Sequence, residues 1–158
     1  MVFAVNKRVG EASSEQGLYL FDFDQRRSTP IPGSTGLDRG RWSPDGHFLA
    51  AVSPDQSAIE LLDLTTHSWT QIARGAAISF PVWSPDSVLY FQDILAPGEP
   101  VYRFQPGGAP PQRAYSFEDI LQTGAMRCAF WGFAPNGSLL VQVNRGGGDI
   151  YALTVNLP

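Results

Sequence analysis

Cysteine occurs once in the 158 residues, at Cys128, which excludes an intrachain disulfide and any metal centre built on several thiolates. Such usage fits a reducing compartment. Beside Arg127, the thiol is either activated by a neighbouring cation or a small buried residue on an inner strand, and burial is the expectation. Histidine occurs twice, at His47 and His67, one directly after a turn and one in a polar strand connection, and neither has the converging partners a metal needs. No metal and no cofactor are expected. With 11 Lys and Arg against 15 Asp and Glu, the net charge is −4, so a clustered basic surface for phosphate is missing and nucleic acid is not an expected partner of this chain alone. No apolar run reaches the roughly 18 residues of a membrane helix, and "MVFAVNKRVG" lacks the order of a signal peptide. The expectation is a soluble, cytoplasmic protein without membrane contact, or a periplasmic one if a longer parent carries a signal.

Catalytic motifs are also missing. The nucleophile elbow Gly-x-Ser-x-Gly does not occur, since "PGSTG" from Pro32 to Gly36 has the wrong spacing. "GGGD" from Gly146 to Asp149 carries neither the Lys-Ser/Thr nor the following helix of a phosphate-cradling loop, and it suits a hairpin tip. A non-enzymatic chain is expected.

What the chain does have is a repeat. "RWSPDGHFLAAV" returns as "VWSPDSVLYFQ" and "GFAPNGSLLVQV", which puts Trp42, Trp83 and Phe133 in register at spacings of 41 and 50 residues. An independent register agrees: "LYLFDFD", "IELLDLT", "VYRFQ" and "IYALTV" begin at Leu18, Ile59, Val101 and Ile150. A period near 40 residues is that of propeller blades. Within one repeat, Ser-Pro-Asp-Gly reverses the chain, because Pro fixes φ at the second turn position and Gly suits the fourth. Apolar runs of strand length follow, with further turn signals every 8–12 residues, so each repeat is an antiparallel meander of four strands. Only "SFEDILQ" offers a helical turn.

The expected fold is therefore all-β, a β-propeller of four-stranded antiparallel blades at approximately 1–33, 36–74, 77–117 and 125–158. The first unit lacks the innermost strand of a blade and the last lacks the outermost. Trp42, Trp83 and Phe133, each preceding a turn at the same place, are expected to pack between blades, with ligand stacking as the alternative.

WSPDG followed by an apolar strand and an IYxxDL-like third strand resembles the TolB-type branch of WD-like β-propeller repeats, over nearly the whole chain. Ser87 for the turn Gly, and "GFAPNG" for "WSPDG", depart from the pattern. Propellers of this branch occur as periplasmic scaffolds, as gating domains of prolyl oligopeptidase-like peptidases, and as sensory or interaction halves of bacterial regulators and kinases. The closing "NRGGGDIYALTVNLP" resembles propellers attached to winged-helix regulators. The resemblance implies a module for protein or peptide interaction or ligand sensing, or alternatively the gating, substrate-recognition propeller of a peptidase whose catalytic domain is absent here. A metal-dependent lyase or hydrolase on a propeller is a third reading.

In a propeller, loops from second to third strands share one face with the connections between blades, and long charged loops are where binding concentrates. Here those loops supply Lys7, Arg8, Asp38, Arg39, Asp55, Arg74, Asp93, Glu118, Asp119, Arg127 and Arg145 as candidate binding residues. Their mixed signs favour a protein or peptide partner. About four blades in one arc leave open ends, so the chain is expected either to be part of a longer propeller or to self-associate as two arcs in a closed ring.

Overall fold

A computed structural model describes residues 1–5, 16–79, 81–146 and 149–153 of the chain, arranged as four successive antiparallel sheets. The first holds β1 (Val2–Val5), β2 (Gly17–Asp22) and β3 (Arg27–Pro30); the second holds β4 (Asp38–Trp42), β5 (Phe48–Val52), β6 (Ala58–Asp63) and β7 (Ser68–Arg74). The third holds β8 (Val82–Trp83), β9 (Leu89–Gln92), β10 (Val101–Phe104) and β11 (Gln112–Tyr115), and the fourth β12 (Arg127–Phe133), β13 (Leu139–Asn144) and β14 (Asp149–Leu153). In each sheet every strand pairs with its neighbours in sequence. Among the described residues a single short helix, α1 (Glu118–Gln122), lies on the connection from the third sheet to the fourth, within "SFEDILQ". No helix among the described residues is long and apolar enough to cross a membrane.

The turns explain why the repeat is written with Ser and Asp. Ser43 accepts the N–H of Phe48 through its hydroxyl at 2.9 Å, and Ser84 accepts that of Val88 at 3.1 Å, so each serine closes the reversal in front of a central strand. Gly46 and Gly137 stand at φ of 74° and 83°, where a side chain would be strained. Ser87 occupies the corresponding turn of the third sheet at φ 60°, without the freedom of glycine. Asp22 and Asp63, 41 residues apart, do one job in two sheets: each carboxylate takes the two N–H groups of the reversal that follows, Asp24 and Gln25 in one case, Thr65 and Thr66 in the other.

Central strands are buried on both faces and outer strands are not. All four residues of β9 are buried and β5 is buried from Leu49 onward, whereas all four residues of β3 are exposed. The reason is sheet-on-sheet packing, which leaves three apolar layers. Leu18 of the first sheet meets Leu49, Ala51 and Leu62 of the second; Val52, Ile59 and Leu61 of the second meet Leu89 and Phe91 of the third; Tyr90, Val101 and Phe117 meet Phe130, Leu139 and Val141 of the fourth. Among the described residues no such layer joins the fourth sheet back to the first, so the propeller is a partial, unclosed arc.

Candidate interaction site

The three residues that precede the repeated turns lie at the layers between sheets. Trp42 packs on the layer between the first and second sheets, Trp83 on that between the second and third, and Phe133 on that between the third and fourth. Trp83 also donates its indole N–H to the Arg41 carbonyl of the second sheet at 2.9 Å. Phe133 sets its ring against Tyr90 and Phe130, with centroids 4.9 and 5.5 Å away.

Most of the described charged loop residues make hydrogen bonds or ion pairs within the fold. Asp93 is only 6% exposed, and its carboxylate accepts the N–H groups of Ala76, Ala77 and Leu95, pinning the connection from the second sheet to the third. Gly75 is required beside it, because a Cβ there would collide with the Asp93 carboxylate. Asp55 accepts from Ser53, from Ser57 and from its backbone, and these hydrogen bonds hold its carboxyl down at about 2. Asp38 takes the N–H of Arg39 at 2.6 Å, and the Arg39 guanidinium crosses to the Ile78 carbonyl at 3.3 Å. Arg74 donates to Gln71, and Arg145 to the Thr123 hydroxyl at 2.9 Å, just past α1. Arg127 stands 3.8 Å from Glu99. Glu118 and Asp119 are exposed in the first turn of α1, while Lys7 and Arg8 lie outside the described residues.

The residues that most firmly join two blades were not singled out by sequence. Gln92, fully buried, donates its amide to the Cys128 carbonyl at 2.9 Å and accepts the N–H of Phe130 at 2.9 Å. Glu99, 8% exposed, accepts the N–H of Cys128 at 2.7 Å. Their signal was polar character within an otherwise apolar strand and loop, "LYFQDILAPGE". Cys128 itself is buried, and burial, reinforced by the Glu99 charge, pushes its thiol up to about 11, so it is no activated nucleophile at neutral pH. Among the described residues no three of His, Cys, Asp and Glu converge as metal ligands.

On the face of the Ser-Pro-Asp turns, opposite the long loops, a cleft of about 760 Å³ opens across the inner strands of the third and fourth sheets, with Pro44 from the turn of the second. Trp83, Tyr90, Trp131 and Phe133 line it together with Pro44 and Pro135. Trp131 is the extra residue of a bulge between Phe130 and Gly132, which turns an indole 54% exposed toward solvent. Asp86 is the only charged side chain among the residues lining the cleft. Aromatic walls with few polar groups, at this volume, are what small ligands and peptide anchors occupy.

No protein-family model matches the chain, and no curated protein matches it in sequence. Solved structures do. TolB from Acinetobacter baumannii superposes with a TM-score of 0.67 at 21% identity, over 96% of this chain and 38% of that one. A putative gluconolactonase gives 0.63 at 18% identity, over 89% and 52%, and a prolyl endopeptidase 0.62 at 18%, over 87% and 24%. The chain thus spans from about a quarter to half the length of these proteins. With four antiparallel sheets stacked through apolar layers and this likeness, the fold is that of a TolB-like β-propeller, here as an unclosed arc.

Proposed function

We propose that the chain is a non-enzymatic binding module that takes a protein or peptide partner, with an apolar or aromatic anchor of that partner seated in the cleft over the inner strands. The exposed indole of Trp131, held at the cleft by a bulge in a rigid sheet, carries this reading. Aromatic anchors in preformed pockets are where binding energy concentrates, whereas charges already tied within a fold have little left for a partner. The likeness of the closing segment to propellers attached to winged-helix regulators supports a place as the interaction half of a larger, cytoplasmic regulator. The likeness to a prolyl endopeptidase supports the second reading, a module that admits peptides to a hydrolase.

Peptide-display selection against the immobilised chain tests the proposal. Trp131→Ala is expected to weaken a selected peptide about tenfold or more, as loss of an aromatic hot spot does, without lowering the melting temperature. Reversing Glu118 and Asp119 to Lys leaves that affinity unchanged. The opposite pattern transfers binding to the long-loop face. Hydrolysis of peptides or esters that survives purification and disappears in Cys128→Ala refutes the non-enzymatic assignment.

A further inference from the structure

The aromatic cleft carries one sign of charge. Trp83, Tyr90, Trp131 and Phe133 supply π surface to its lining and Asp86 supplies a carboxylate, while among the described residues no Lys, Arg or His lines it. Both indole N–H groups are already engaged by the protein: Trp83 donates to the Arg41 carbonyl at 2.9 Å, and Trp131 to the Gln142 carboxamide oxygen at 3.1 Å. What the indoles have left for a ligand is their faces, the negative pole of the aromatic quadrupole. Electron-rich faces beside a carboxylate both attract a cation.

Asp86 decides between a neutral occupant and a charged one. It lies exposed in the turn that leads to β9. A wholly apolar anchor seated beside it would draw water away from the carboxylate and leave it unpaired, which is unfavourable. A basic side chain instead lays an apolar stem on the rings and brings its head group to the carboxylate. Asp86 and Tyr90 also line a second cavity, of about 350 Å³, and that one holds Arg103 with Gln105 and Gln112. Burial pushes the Tyr90 phenol up, the Arg103 guanidinium pulls it down and the Asp86 carboxylate pushes it up, so both charges are felt at its hydroxyl. The positive one lines only the neighbouring cavity, and the cleft keeps the negative one.

We propose that the cleft recognises positive charge: its occupant is a Lys or Arg side chain of a protein or peptide partner, with the stem on the aromatic faces and the head group at Asp86. The inference rests on the binding-module reading for the source of that side chain, and on the lining of the cleft for its charge.

Choline and its uncharged isostere 3,3-dimethylbutan-1-ol, titrated into the full chain while the indole N–H resonances of Trp83 and Trp131 are followed, test the charge. Choline is expected to bind roughly three- to tenfold more tightly, the preference that aromatic faces give a cation. Asp86→Asn, in an exposed turn, removes most of that preference, and Arg103→Gln does not weaken choline. Equal binding of the two probes, or a preference that Asp86→Asn leaves intact, overturns the proposal while the binding module stands. The source is tested on selected peptides that Trp131→Ala weakens: each is expected to carry a Lys or Arg whose replacement by norleucine loses about tenfold in affinity. Trp131-dependent peptides without a basic residue overturn the proposal and keep the module. Selected peptides that ignore Trp131 refute the module reading of the cleft; a choline preference that survives this assigns the cleft to a small alkylammonium ligand and overturns the peptide source.

Discussion

At the scale of single residues, position along the repeat determines chemistry more than residue type does. Serine in the first place of the turn accepts an N–H from the strand beyond, so a hydroxyl is built into the reversal. Serine in the fourth place carries the disadvantage of its Cβ. Ser87 sits at φ 60°, a left-handed conformation that costs a non-glycine residue about 1–2 kcal/mol. Its hydroxyl, 3.3 Å from the Asp45 N–H, returns little of that. Ser87→Gly is expected to stabilise the protein by about 1 kcal/mol, read as a melting point raised by roughly 2–4 °C. Cys128 gives a prediction in pH. Its thiol titrates near 11 in the fold against an ordinary value of 9.0, because burial and the Glu99 charge disfavour the thiolate. The unfolded chain loses that proton first, so stability is intact below about pH 9 and declines as the pH climbs through 11. Urea midpoints at pH 8 and pH 10.5 check this: the alkaline loss shrinks in Cys128→Ala, and what persists belongs to Tyr90 and Tyr115, which burial shifts the same way.

At the scale of elements, two devices join neighbouring sheets, and they were unequally legible. The indole wedge was written in the repeat, because Trp42, Trp83 and Phe133 recur beside a turn whose position is fixed by Pro and Ser. Trp83→Ala removes both packing and the hydrogen bond to Arg41, and should cost toward the lower end of about 3–5 kcal/mol, since the ring is only half-buried. Trp83→Phe keeps most of the packing and should lose about 1 kcal/mol, so the two unfolding curves separate the terms. The polar staples were not legible. Gln92 at the end of a strand, and Asp93 and Glu99 in the loop after it, look like ordinary polar residues in a chain that carries 15 acidic groups, and only the backbone of a neighbouring blade, 16 to 38 residues away, shows what they hold. Gln92→Ala leaves a buried carbonyl and a buried N–H without partners, at about 1–3 kcal/mol each. Hydrogen exchange should show the β12 amides losing protection while those of β5 and β6 keep theirs; uniform loss across the chain would contradict a local staple.

At the scale of the whole molecule, the meander, the period and the strand counts of three, four, four and three follow from turn spacing alone, since every reversal is local and carries its own Ser, Pro, Asp or Gly signal. The proposed binding cleft did not follow in the same way. The candidate binding residues lie on long charged loops, of which Asp93 and Arg39 are tied to backbone of a neighbouring segment while Asp55 and Arg145 stay exposed, and the aromatic cleft depends on a bulge at Trp131 that no periodicity announces. An arc of stacked sheets has a further property that a closed ring lacks. Each inner sheet is supported on two faces and each end sheet on one, so stability is a sum of sheet and nearest-neighbour terms that falls toward the ends. Local opening should then follow position in the arc, because amides report the free energy of the smallest opening that exposes them. Exchange measured at rising urea is expected to protect β5, β6 and β9 longest and to release β2 and β13 earlier, though Leu18, Val141 and Val143 are as buried as anything in the centre. If all of these amides exchange with a single free energy, the sheets unfold as one cooperative body, and the ends are held by something that closes the ring.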